Sequence, residues 1–397
     1  MQKKRLFSRI AVASVAALIL AGCSSGSDSA SEGALPEIEM MQELGTGEGQ
    51  VNVVAWAGYV ENGSTDPAVD WVTGFETETG CKVNVKNGTS SDDMVALMKT
   101  GEYDVVSASG DASLRLIYGG DVAPINTDLT PNYADVFENL KMQQWNSVDG
   151  VAYGVPHGRG ANLLAYRTDI VKPAPTSWSS VFDANSPYKG TITAYDSAIY
   201  IADAALYLMA TQPDLGITYP YALDQAQFDA AIALLEVQKP LIGEYWGDYL
   251  KHVASLKSGG TVLGTTWQIN INLAKGEKTP VEGIKPIEGS TGWSDTWMVS
   301  SKAKNPNCAY MWINHIASPE ANAGVAEWFG EAPSNAKSCA LTADPNHCTT
   351  FHAADDAYWE DVYYWNTATE ACLDGRKDVK CVPYSEWVKA WSSLRNS

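Results

Sequence analysis

The chain has 397 residues, of which 45% are hydrophobic and 19% charged, as expected for a soluble protein with two domains or one large one. Its formal charge is −20 at pH 7. Without the first 22 residues, which hold four basic and no acidic residues, 23 basic and 47 acidic residues remain, a net charge of −24. A field of this sign repels nucleic acids and anionic lipid surfaces, mildly favours cationic solutes, and equally keeps an exported protein soluble.

The N-terminus has the pattern of a bacterial export signal. Basic residues precede an apolar run from Ile10 to Ala21, which is too short to span a bilayer. The run ends in Leu20-Ala21-Gly22-Cys23, which resembles the lipobox of bacterial lipoproteins. Residues 1–22 are therefore predicted to be a signal peptide, and the thiol of Cys23 to carry the lipid. No other segment is long and apolar enough to be transmembrane, so this lipid is the only expected anchor.

The stretch after Cys23 is predicted to be a tether. From Ser24 to about Gln50 it is rich in Ser, Gly, Glu and Ala, and it ends in Gly45-Thr46-Gly47-Glu48-Gly49. Such a composition does not form a core. Residues 23–50 are thus interpreted as a lipidated N-terminus and a flexible connection to the membrane.

Six further cysteines indicate disulfide bonds, because an even number outside the cytosol is typical of a disulfide framework. Two pairs close short loops, and two distant cysteines remain. The predicted bonds are Cys339–Cys348, Cys372–Cys381 and Cys81–Cys308. The alternative is a metal site, since His347 and His352 lie beside Cys348. That spacing matches no standard zinc pattern, so no metal is expected.

The first part of the folded chain alternates between strands and helices, which implies a parallel α/β sheet with right-handed crossovers. Ligands of such sheets lie at the carboxyl ends of the strands, where Trp56 and Ser109 fall. The predicted elements are a strand Val51–Trp56, a helix opened by Asp66-Pro67 and stopped by Gly80, a strand Lys82–Lys86, a helix capped by Ser90 and a strand Tyr103–Ser107.

The second part contains further strands and helices and a Trp-rich tail. Trp359, Trp365, Trp387 and Trp391 in that tail are predicted to pack in a core. The predicted elements are a strand around Thr191–Thr193, a helix from Asp196 onward, helices Asp224–Gln238 and Tyr249–Ser258, a strand Val262–Thr266, and a return strand over Gly292–Trp297.

Gly292–Trp297 contains the most informative pattern. Trp293 and Asp295 lie two residues apart, so an extended chain presents both on one side. An indole face and a carboxylate together suit an organic ammonium group. Two further aromatic stretches, Ala55–Tyr59 and Gly264–Trp267, fit the same kind of site. Against this stands the general rule that a single Trp is more often a core residue than part of a ligand cage.

In this order and at these separations, the three stretches resemble the aromatic box of the bacterial polyamine-binding proteins, the spermidine/putrescine receptors of ABC importers. The resemblance covers roughly residues 50–336. Val151–His157 resembles the passage from first to second domain in that family, and Gly330–Asn335 resembles the loop after its paired helices.

The resemblance implies a two-lobed, type II periplasmic-binding-protein-like α/β fold, with mixed sheets flanked by helices and a ligand cleft between the lobes. Residues 51–156 are expected to start the first lobe and residues 157–290 to form the second. Residues 291–397 are expected to return to the first lobe and end in a helical tail.

The family holds one ammonium with an Asp between Trp and Tyr walls, and further acids meet the far end of the polyamine. The positions that carry these distal acids in the family are occupied here by Ser197 and Tyr200, with Asp196 adjacent. Neither Ser nor Tyr is an acid, so this chain departs from the family pattern at the distal end. Asp111 is a possible substitute. The residues matching or adjoining the near end are Trp56, Tyr59, Ser109, Trp267, Trp293, Asp295 and Glu331.

Arg159 is a second departure, because the family carries an aromatic residue there. A guanidinium in the cleft would repel a polyamine and bind a carboxylate in bidentate geometry. That favours an ω-amino acid such as 4-aminobutyrate, with Asp295 at one end and Arg159 at the other. The alternative is an interdomain salt bridge made by Arg159.

The sequence therefore predicts a lipid-anchored receptor for an amine-bearing small molecule, either a polyamine or an ω-amino acid or quaternary amine. It would be a monomer at the outer face of the membrane or in the periplasm, would need no cofactor, and would deliver its ligand to an ABC permease and ATPase. A secreted enzyme is a competing hypothesis, but no G-x-S-x-G, H-E-x-x-H or other recognisable catalytic motif is present. A third hypothesis is an adhesin or sensor on the same fold.

Overall fold

The computed structural model describes residues 35–397, in which sixteen strands form three main sheets and a small hairpin. In chain order the strands are β1 Gln50–Ala55, β2 Lys82–Asn87, β3 Val105–Ala108, β4 Ser147–Val148, β5 Val151–Ala152, β6 Val155–Pro156, β7 Gly158–Ala161, β8 Leu163–Arg167, β9 Ile192–Tyr195, β10 Ile242–Trp246, β11 Leu263–Thr266, β12 Val281–Ile284, β13 Ser290–Trp293, β14 Thr296–Val299, β15 Ala332–Pro333 and β16 Val362–Tyr364.

Thirteen α-helices in the same residues flank the sheets, together with short 3-10 turns. They are α1 Thr73–Thr79, α2 Ser91–Lys99, α3 Gly110–Tyr118, α4 Ser179–Phe182, α5 Ile201–Thr211, α6 Gln225–Gln238, α7 Tyr249–Ser258, α8 Gln268–Gly276, α9 Pro306–Ile316, α10 Pro319–Phe329, α11 His347–Thr350, α12 Asp356–Trp359 and α13 Tyr384–Asn396.

Two five-stranded mixed sheets form two lobes. The first sheet has the order β2-β1-β3-β14-β6, in which β1 is parallel to β2 and β3 while β14 runs antiparallel. The second has the order β10-β9-β11-β8-β12, with β9 parallel to β10 and β11 and with β8 antiparallel. Each sheet packs against its own helices around a separate buried core. The predicted mixed α/β architecture is confirmed.

A third sheet, called here the bridging sheet, lies where the chain crosses between the other two. The chain leaves the first sheet after β6, runs through β7 and enters the second at β8. It returns through β13 before β14 rejoins the first sheet. β7 and β13 pair with each other in the bridging sheet, whose order is β15-β7-β13-β16. The tail helix α13 packs with the core of the second sheet, where Trp387 and Trp391 are buried.

The described part of the expected tether, residues 35–49, packs on the first lobe and is not free. The Gly45 N–H donates to Asn307 Oδ1 at 2.5 Å. The Glu48 carboxylate accepts hydrogen bonds from the backbone N–H groups of Asn307 and Cys308 at 3.0 and 2.9 Å. These N–H groups belong to the first turn of α9 and have no partner within the helix. Because Glu48 accepts from them, the segment is fixed to the first lobe although its composition is typical of a linker. Cys23 and the predicted signal peptide lie outside the described residues.

One helix boundary was wrongly predicted. The helix expected from Asp66-Pro67 begins at Thr73, because Asp66 closes a local turn by accepting from the Ala68 N–H at 2.9 Å. Asp70 then accepts from the N–H groups of Val72 and Thr73 at 3.0 and 2.9 Å, which caps the helix instead.

The three predicted disulfides are confirmed. Cys81 precedes β2 and bonds Cys308 in α9, which ties two distant parts of the first lobe together. Because Cys348 is bonded to Cys339, its thiolate is not available to a metal. Within residues 35–397, no helix combines the length and hydrophobicity needed to cross a bilayer.

Candidate ligand-binding cavity

A cavity of about 360 Å³ lies between the carboxyl ends of strands from the two lobes. Its lining includes Trp56 after β1 and Ser109 after β3 in the first lobe, and Tyr195 and Trp267 at the ends of β9 and β11 in the second. This is the expected place for a ligand of such sheets. The full lining is Trp56, Ala57, Tyr59, Gly88, Thr89, Ser109, Tyr195, Gly247, Asp248, Tyr249, Leu250, Trp267, Trp293, Asp295, Phe329 and Trp365.

Asp295 forms the polar floor of the cavity. Thr296 pairs with Ala108 in the antiparallel ladder of β14 and β3, which brings Asp295 beside Ser109 despite the distance in sequence. The Ser109 hydroxyl donates to Asp295 Oδ1 at 2.7 Å, and the Tyr59 hydroxyl donates to Oδ2 at 2.8 Å. The carboxylate is therefore fixed in position, and its residue is only 3% exposed.

Asp295 carries a negative charge at this floor at neutral pH. Burial raises the pKa of Asp295 to about 6, and the hydrogen bonds from Ser109 and Tyr59 limit that rise. Glu331 lies on the far side of Tyr59, with Oε2 at 3.3 Å from the Tyr59 hydroxyl. Burial, together with the charge of Asp295, raises the pKa of Glu331 well above its usual value. Asp295 is thus mostly ionised at pH 7, and Glu331 holds its proton more tightly than an exposed glutamate does.

His157 contributes no charge to this network. Burial lowers its pKa to about 3, so the imidazole is neutral. The Trp297 indole N–H donates to His157 Nδ1 at 2.8 Å, which leaves the ring proton on Nε2. That nitrogen lies 3.2 Å from Glu331 Oε1. His157 therefore adds no charge beneath Asp295, and its ring packs against Tyr59 with centroids 4.0 Å apart.

Six aromatic rings follow one another around the cavity, each in contact with the next. Tyr195 and Trp365 stack with centroids 5.5 Å apart and planes inclined by 16°. The other contacts are Tyr195–Trp267 at 5.6 Å, Trp267–Trp293 at 6.3 Å, Trp293–Phe329 at 5.9 Å and Phe329–Tyr59 at 4.7 Å. Ring faces attract cations, and the attraction grows when water is excluded. The wall therefore suits an apolar chain that carries a positive charge.

Asp248 provides a second acid at the rim. It follows β10 and caps α7, where its Oδ1 accepts from the N–H groups of Leu250 and Lys251 at 3.0 and 3.2 Å. Its side chain is 51% exposed. Among the described residues that line the cavity, Asp295 and Asp248 are the only acids and none is basic.

Of the eleven predicted ligand-binding residues, six line the cavity and five do not. Asp111 is buried beneath the floor, where it accepts from the Ser91 hydroxyl at 2.9 Å. Ser197 caps the turn Ala198–Tyr200, and Tyr200 lies in the core of the second lobe with its hydroxyl 2.9 Å from Gln238 Nε2. Arg159 also lies away, and Glu331 reaches the site only through Tyr59. The six that line it are Trp56, Tyr59, Ser109, Trp267, Trp293 and Asp295.

Arg159 lies behind the wall formed by Trp293 and Trp267. Its guanidinium donates to the Ala353 carbonyl at 2.7 Å and to the Tyr364 hydroxyl at 3.2 Å, and it stacks on the Trp359 ring at 4.3 Å. In residues 35–397 it forms no ion pair, so neither of the two roles expected for it is found here.

Sequence reasoning missed Tyr195, Asp248 and Trp365. Tyr195 is the last residue of β9, Asp248 follows β10 after one intervening residue, and Trp365 directly follows β16. The rule that places ligands at the carboxyl ends of strands therefore applies to all three. Trp365 is a buried core residue as predicted, and in addition it lines the cavity, where it stacks on Tyr195. Gly110 allows this arrangement, because a side chain there would meet the Trp365 backbone. The predictions for Trp387 and Trp391 as core residues are confirmed.

The model of the family of bacterial extracellular solute-binding proteins matches residues 70–350. A spermidine/putrescine-binding periplasmic protein from Haemophilus influenzae is 24% identical over 321 residues, which cover 78% of this chain and 84% of that protein. The structure of a spermidine/putrescine ABC transporter protein from Listeria monocytogenes superimposes with a TM-score of 0.71 at 20% identity, covering 88% of this chain and 99% of that one. A GABA receptor structure superimposes with a TM-score of 0.67 at 20% identity, covering 87% and 97%.

Proposed function

Because this chain belongs to the bacterial extracellular solute-binding proteins, we propose that it binds an aliphatic polyamine such as putrescine or spermidine in the aromatic cavity. It would then deliver the ligand, chemically unchanged, to the permease and ATPase of an ABC importer. The observation that carries this proposal is the buried, hydroxyl-held carboxylate of Asp295 at the floor of a wall of six rings. A relative described as spermidine/putrescine-binding supports it.

The arrangement favours a primary ammonium over a quaternary one. Asp295 receives one hydroxyl donor on each oxygen and interacts with the Trp56 side chain, and a carboxylate has further lone pairs that can accept N–H groups of a ligand. A primary ammonium donates such bonds, whereas a quaternary ammonium gains only the attraction of charge and rings. We therefore place a terminal –NH₃⁺ at Asp295.

The lining disfavours 4-aminobutyrate. A buried ligand carboxylate needs a basic partner or several N–H donors, and no basic residue lines the cavity in the described chain. Arg159, the expected partner, lies behind Trp293. A diamine has no carboxylate to bury without a partner, and its second ammonium would extend toward the half-exposed Asp248 and the solvent.

Ligand capture would close the two lobes. Trp56, Tyr59 and Asp295 come from the first lobe, whereas Tyr195 and Trp267 come from the second. A ligand that contacts both sets favours the closed state over the open one. The bridging sheet contains both crossing strands, β7 and β13, and is the expected site of the hinge.

Calorimetry with a matched set of ligands tests the function. We expect putrescine and spermidine to bind, butylamine to bind more weakly, and 4-aminobutyrate to bind at least about tenfold more weakly than putrescine. 1,4-Butanediol, which keeps the length but lacks the charge, should give no heat of binding. Binding of the diol or of 4-aminobutyrate in preference to every amine would contradict the proposal.

We also propose that Cys23 carries the lipid that anchors the protein. The basic residues, the apolar run and Leu20–Cys23 support this. The protein should incorporate labelled fatty acid and partition into detergent, and Cys23→Ala should do neither. Equal partitioning of the two proteins would refute the anchor.

A further inference from the structure

The residues that line the ligand cavity range from buried to exposed, which gives the cavity a direction. At its floor, Asp295 is 3% exposed and Trp293 is 5% exposed. At the other end, Leu250 is 57% exposed and the Asp248 side chain is 51% exposed. The cavity therefore has a closed floor and an open end, called here the mouth. The exposed lining residues that form the mouth are Ala57, Thr89, Gly247, Asp248 and Leu250.

Each lobe contributes one side of the mouth. Ala57 and Thr89 lie two residues beyond Ala55 and Asn87, which pair with each other at the ends of the parallel strands β1 and β2 in the first lobe. Residues 247–250 follow β10 in the second lobe. Because both sides line one cavity, the mouth lies at the seam between the two lobes.

Asp248 is the one charged group of the mouth in the described chain. One of its oxygens already accepts two backbone N–H groups, and its side chain is half-exposed. Water and salt screen an ion pair in such a place, so the pair contributes little affinity. Asp295 is buried, and an ion pair there is screened much less. The cavity therefore requires a charge at one end of its ligand and not at the other.

The chemistry of the mouth also suits a polar group without charge. Leu250 exposes an apolar surface there, which an alkyl group can cover and an ammonium cannot. A secondary amide has an N–H that can donate to Asp248 and a carbonyl that can stay hydrated. A polar group that keeps its water avoids the desolvation cost of burial. An amide with a short alkyl group therefore fits the mouth.

We propose that the cavity recognises only one end of its ligand, and that its ligands include mono-N-acylated diamines such as N-acetylputrescine. This inference rests on the proposed function, because the free ammonium would pair with Asp295 as that of a diamine does. The acylated end would lie in the mouth, where a longer acyl group extends into solvent. A diamine that is acylated at both ends carries no cation and would not bind.

Gly247 keeps the mouth wide. A Cβ at this position would meet no atom within 4 Å, and the backbone there does not have a positive φ, so a larger side chain can be introduced without strain. Such a side chain would occupy open space at the mouth, next to Asp248. Gly247 is therefore expected to determine how large the acylated end of the ligand can be.

A pair of variants tests the role of the mouth. Gly247→Leu should weaken the binding of N-hexanoylputrescine at least about tenfold more than that of butylamine, because the added side chain narrows the opening. Gly276→Leu is the matched control, since a Cβ at Gly276 also meets no atom within 4 Å and this residue does not line the cavity. It should weaken neither ligand. Equal effects of Gly247→Leu on the two ligands would refute the placement of the acylated end in the mouth.

Calorimetry with three ligands tests one-ended recognition in the wild-type protein. N-Acetylputrescine should bind within about fivefold of putrescine, since only an exposed ion pair is lost. N,N′-Diacetylputrescine should give no heat of binding. If putrescine binds while N-acetylputrescine binds more than about fivefold more weakly, or if the diacetylated compound binds, the inference is overturned and the proposed function of a diamine receptor is judged on putrescine alone. If neither putrescine nor N-acetylputrescine binds, both fail.

Discussion

The two acids of the cavity differ in depth, and under the proposed function this difference would give the two ends of a diamine unequal partners. Asp295 is almost fully buried and receives hydroxyl donors on both oxygens, at 2.7 and 2.8 Å. Asp248 is half-exposed, and two backbone N–H groups of α7 already occupy one of its oxygens. An ion pair gains strength where water is excluded and loses it at a surface. In the proposed function, Asp295 would therefore bind an ammonium strongly, whereas Asp248 would attract one only weakly.

The burial of the Asp295 carboxylate is unfavourable for the folded protein when no ligand is bound. Burial of this carboxylate raises its pKa to about 6, which means that the empty site holds an unfavourable charge at neutral pH. An ammonium ligand removes that penalty. Asp248 keeps contact with solvent, so a ligand gains little by neutralising it.

The largest expected effect is the loss of the buried charge. Asp295→Asn keeps the volume and removes the charge, so putrescine binding should weaken by about 10- to 150-fold, the equivalent of roughly 1.5–3 kcal/mol for a hydrogen bond to a charged group. Calorimetry measures the change, and circular dichroism confirms that the variant is folded. Unchanged affinity would place the ammonium elsewhere.

The second-largest expected effect is a loss of ligand affinity at low pH. As the pH falls through about 6, Asp295 becomes protonated and loses its attraction for the ammonium. The affinity of the wild-type protein should therefore drop by roughly tenfold between pH 7 and pH 5. Burial also raises the pKa of Asp111 to about 6 and that of Asp203 to about 7, so both titrate near this range, whereas His157 stays neutral. The pH dependence should disappear in Asp295→Asn. If it persists there, a different buried acid, Asp111 or Asp203, is the titrating group.

The ligand-free protein should respond to pH in the opposite direction. The pKa of Asp295 is higher in the folded state than its ordinary value of 3.8, so the folded state binds the proton more tightly. This group therefore contributes stability at low pH and loses that contribution as the pH rises through about 6. Chemical denaturation at pH 5 and pH 7 should show a smaller loss in Asp295→Asn than in the wild type. A loss of the same size would assign the pH effect to other groups.

The aromatic wall should contribute less per ring than the acid. Trp365→Leu removes the ring that stacks on Tyr195, and it should weaken putrescine binding by roughly two- to fivefold, since a cation–π contact is worth about 0.5–1 kcal/mol. Trp391→Leu is the matched control, because Trp391 packs in the core of the second lobe. It should lower the melting temperature without changing the affinity. Equal effects of the two variants on affinity would mean that Trp365 acts only through packing.

The smallest effect is expected at the rim. Asp248→Asn should weaken putrescine binding by less than about fivefold, the range of an exposed ion pair, and should leave butylamine binding unchanged. The comparison of diamine with monoamine isolates the contact with the second ammonium. A similar loss for both ligands would show that the change acts on α7, which Asp248 caps, and not on the ligand.

The parts of the fold that local sequence determines were predictable. Helix α6 follows its cap Asp224, and α7 spans the predicted Tyr249–Ser258, because capping residues and apolar spacing act over a few positions. The floor of the site was predictable in part, since Trp293 and Asp295 are close in sequence and both line the cavity. The single strand predicted over Gly292–Trp297 was wrong, because the chain leaves β13 after Trp293 and enters β14 of another sheet at Thr296. The docking of residues 35–49 depends on the exposed first turn of α9, far along the chain, and no local pattern indicates it.

The part of the cavity away from Asp295 could not be predicted from the family resemblance, because this chain departs from the family pattern at Ser197 and Tyr200. Tyr195, Asp248 and Trp365 meet only after β9, β10 and β16 are assembled in their sheets. Arg159 was misplaced for a related reason. It lies on β7 in the bridging sheet, and only the pairing of β7 with β13 sets Trp293 between it and the ligand cavity.

Proton release on binding tests the central claim, that a ligand ammonium pairs with the buried carboxylate of Asp295, most directly. At pH 6 about half of the Asp295 side chains carry a proton in the empty protein, and pairing with a cation expels it. Titration of putrescine at pH 6, in buffers of different ionisation enthalpy, should show about half a proton released per ligand bound in the wild type and almost none in Asp295→Asn. Binding without proton release in the wild type, or equal release in both proteins, would contradict the claim.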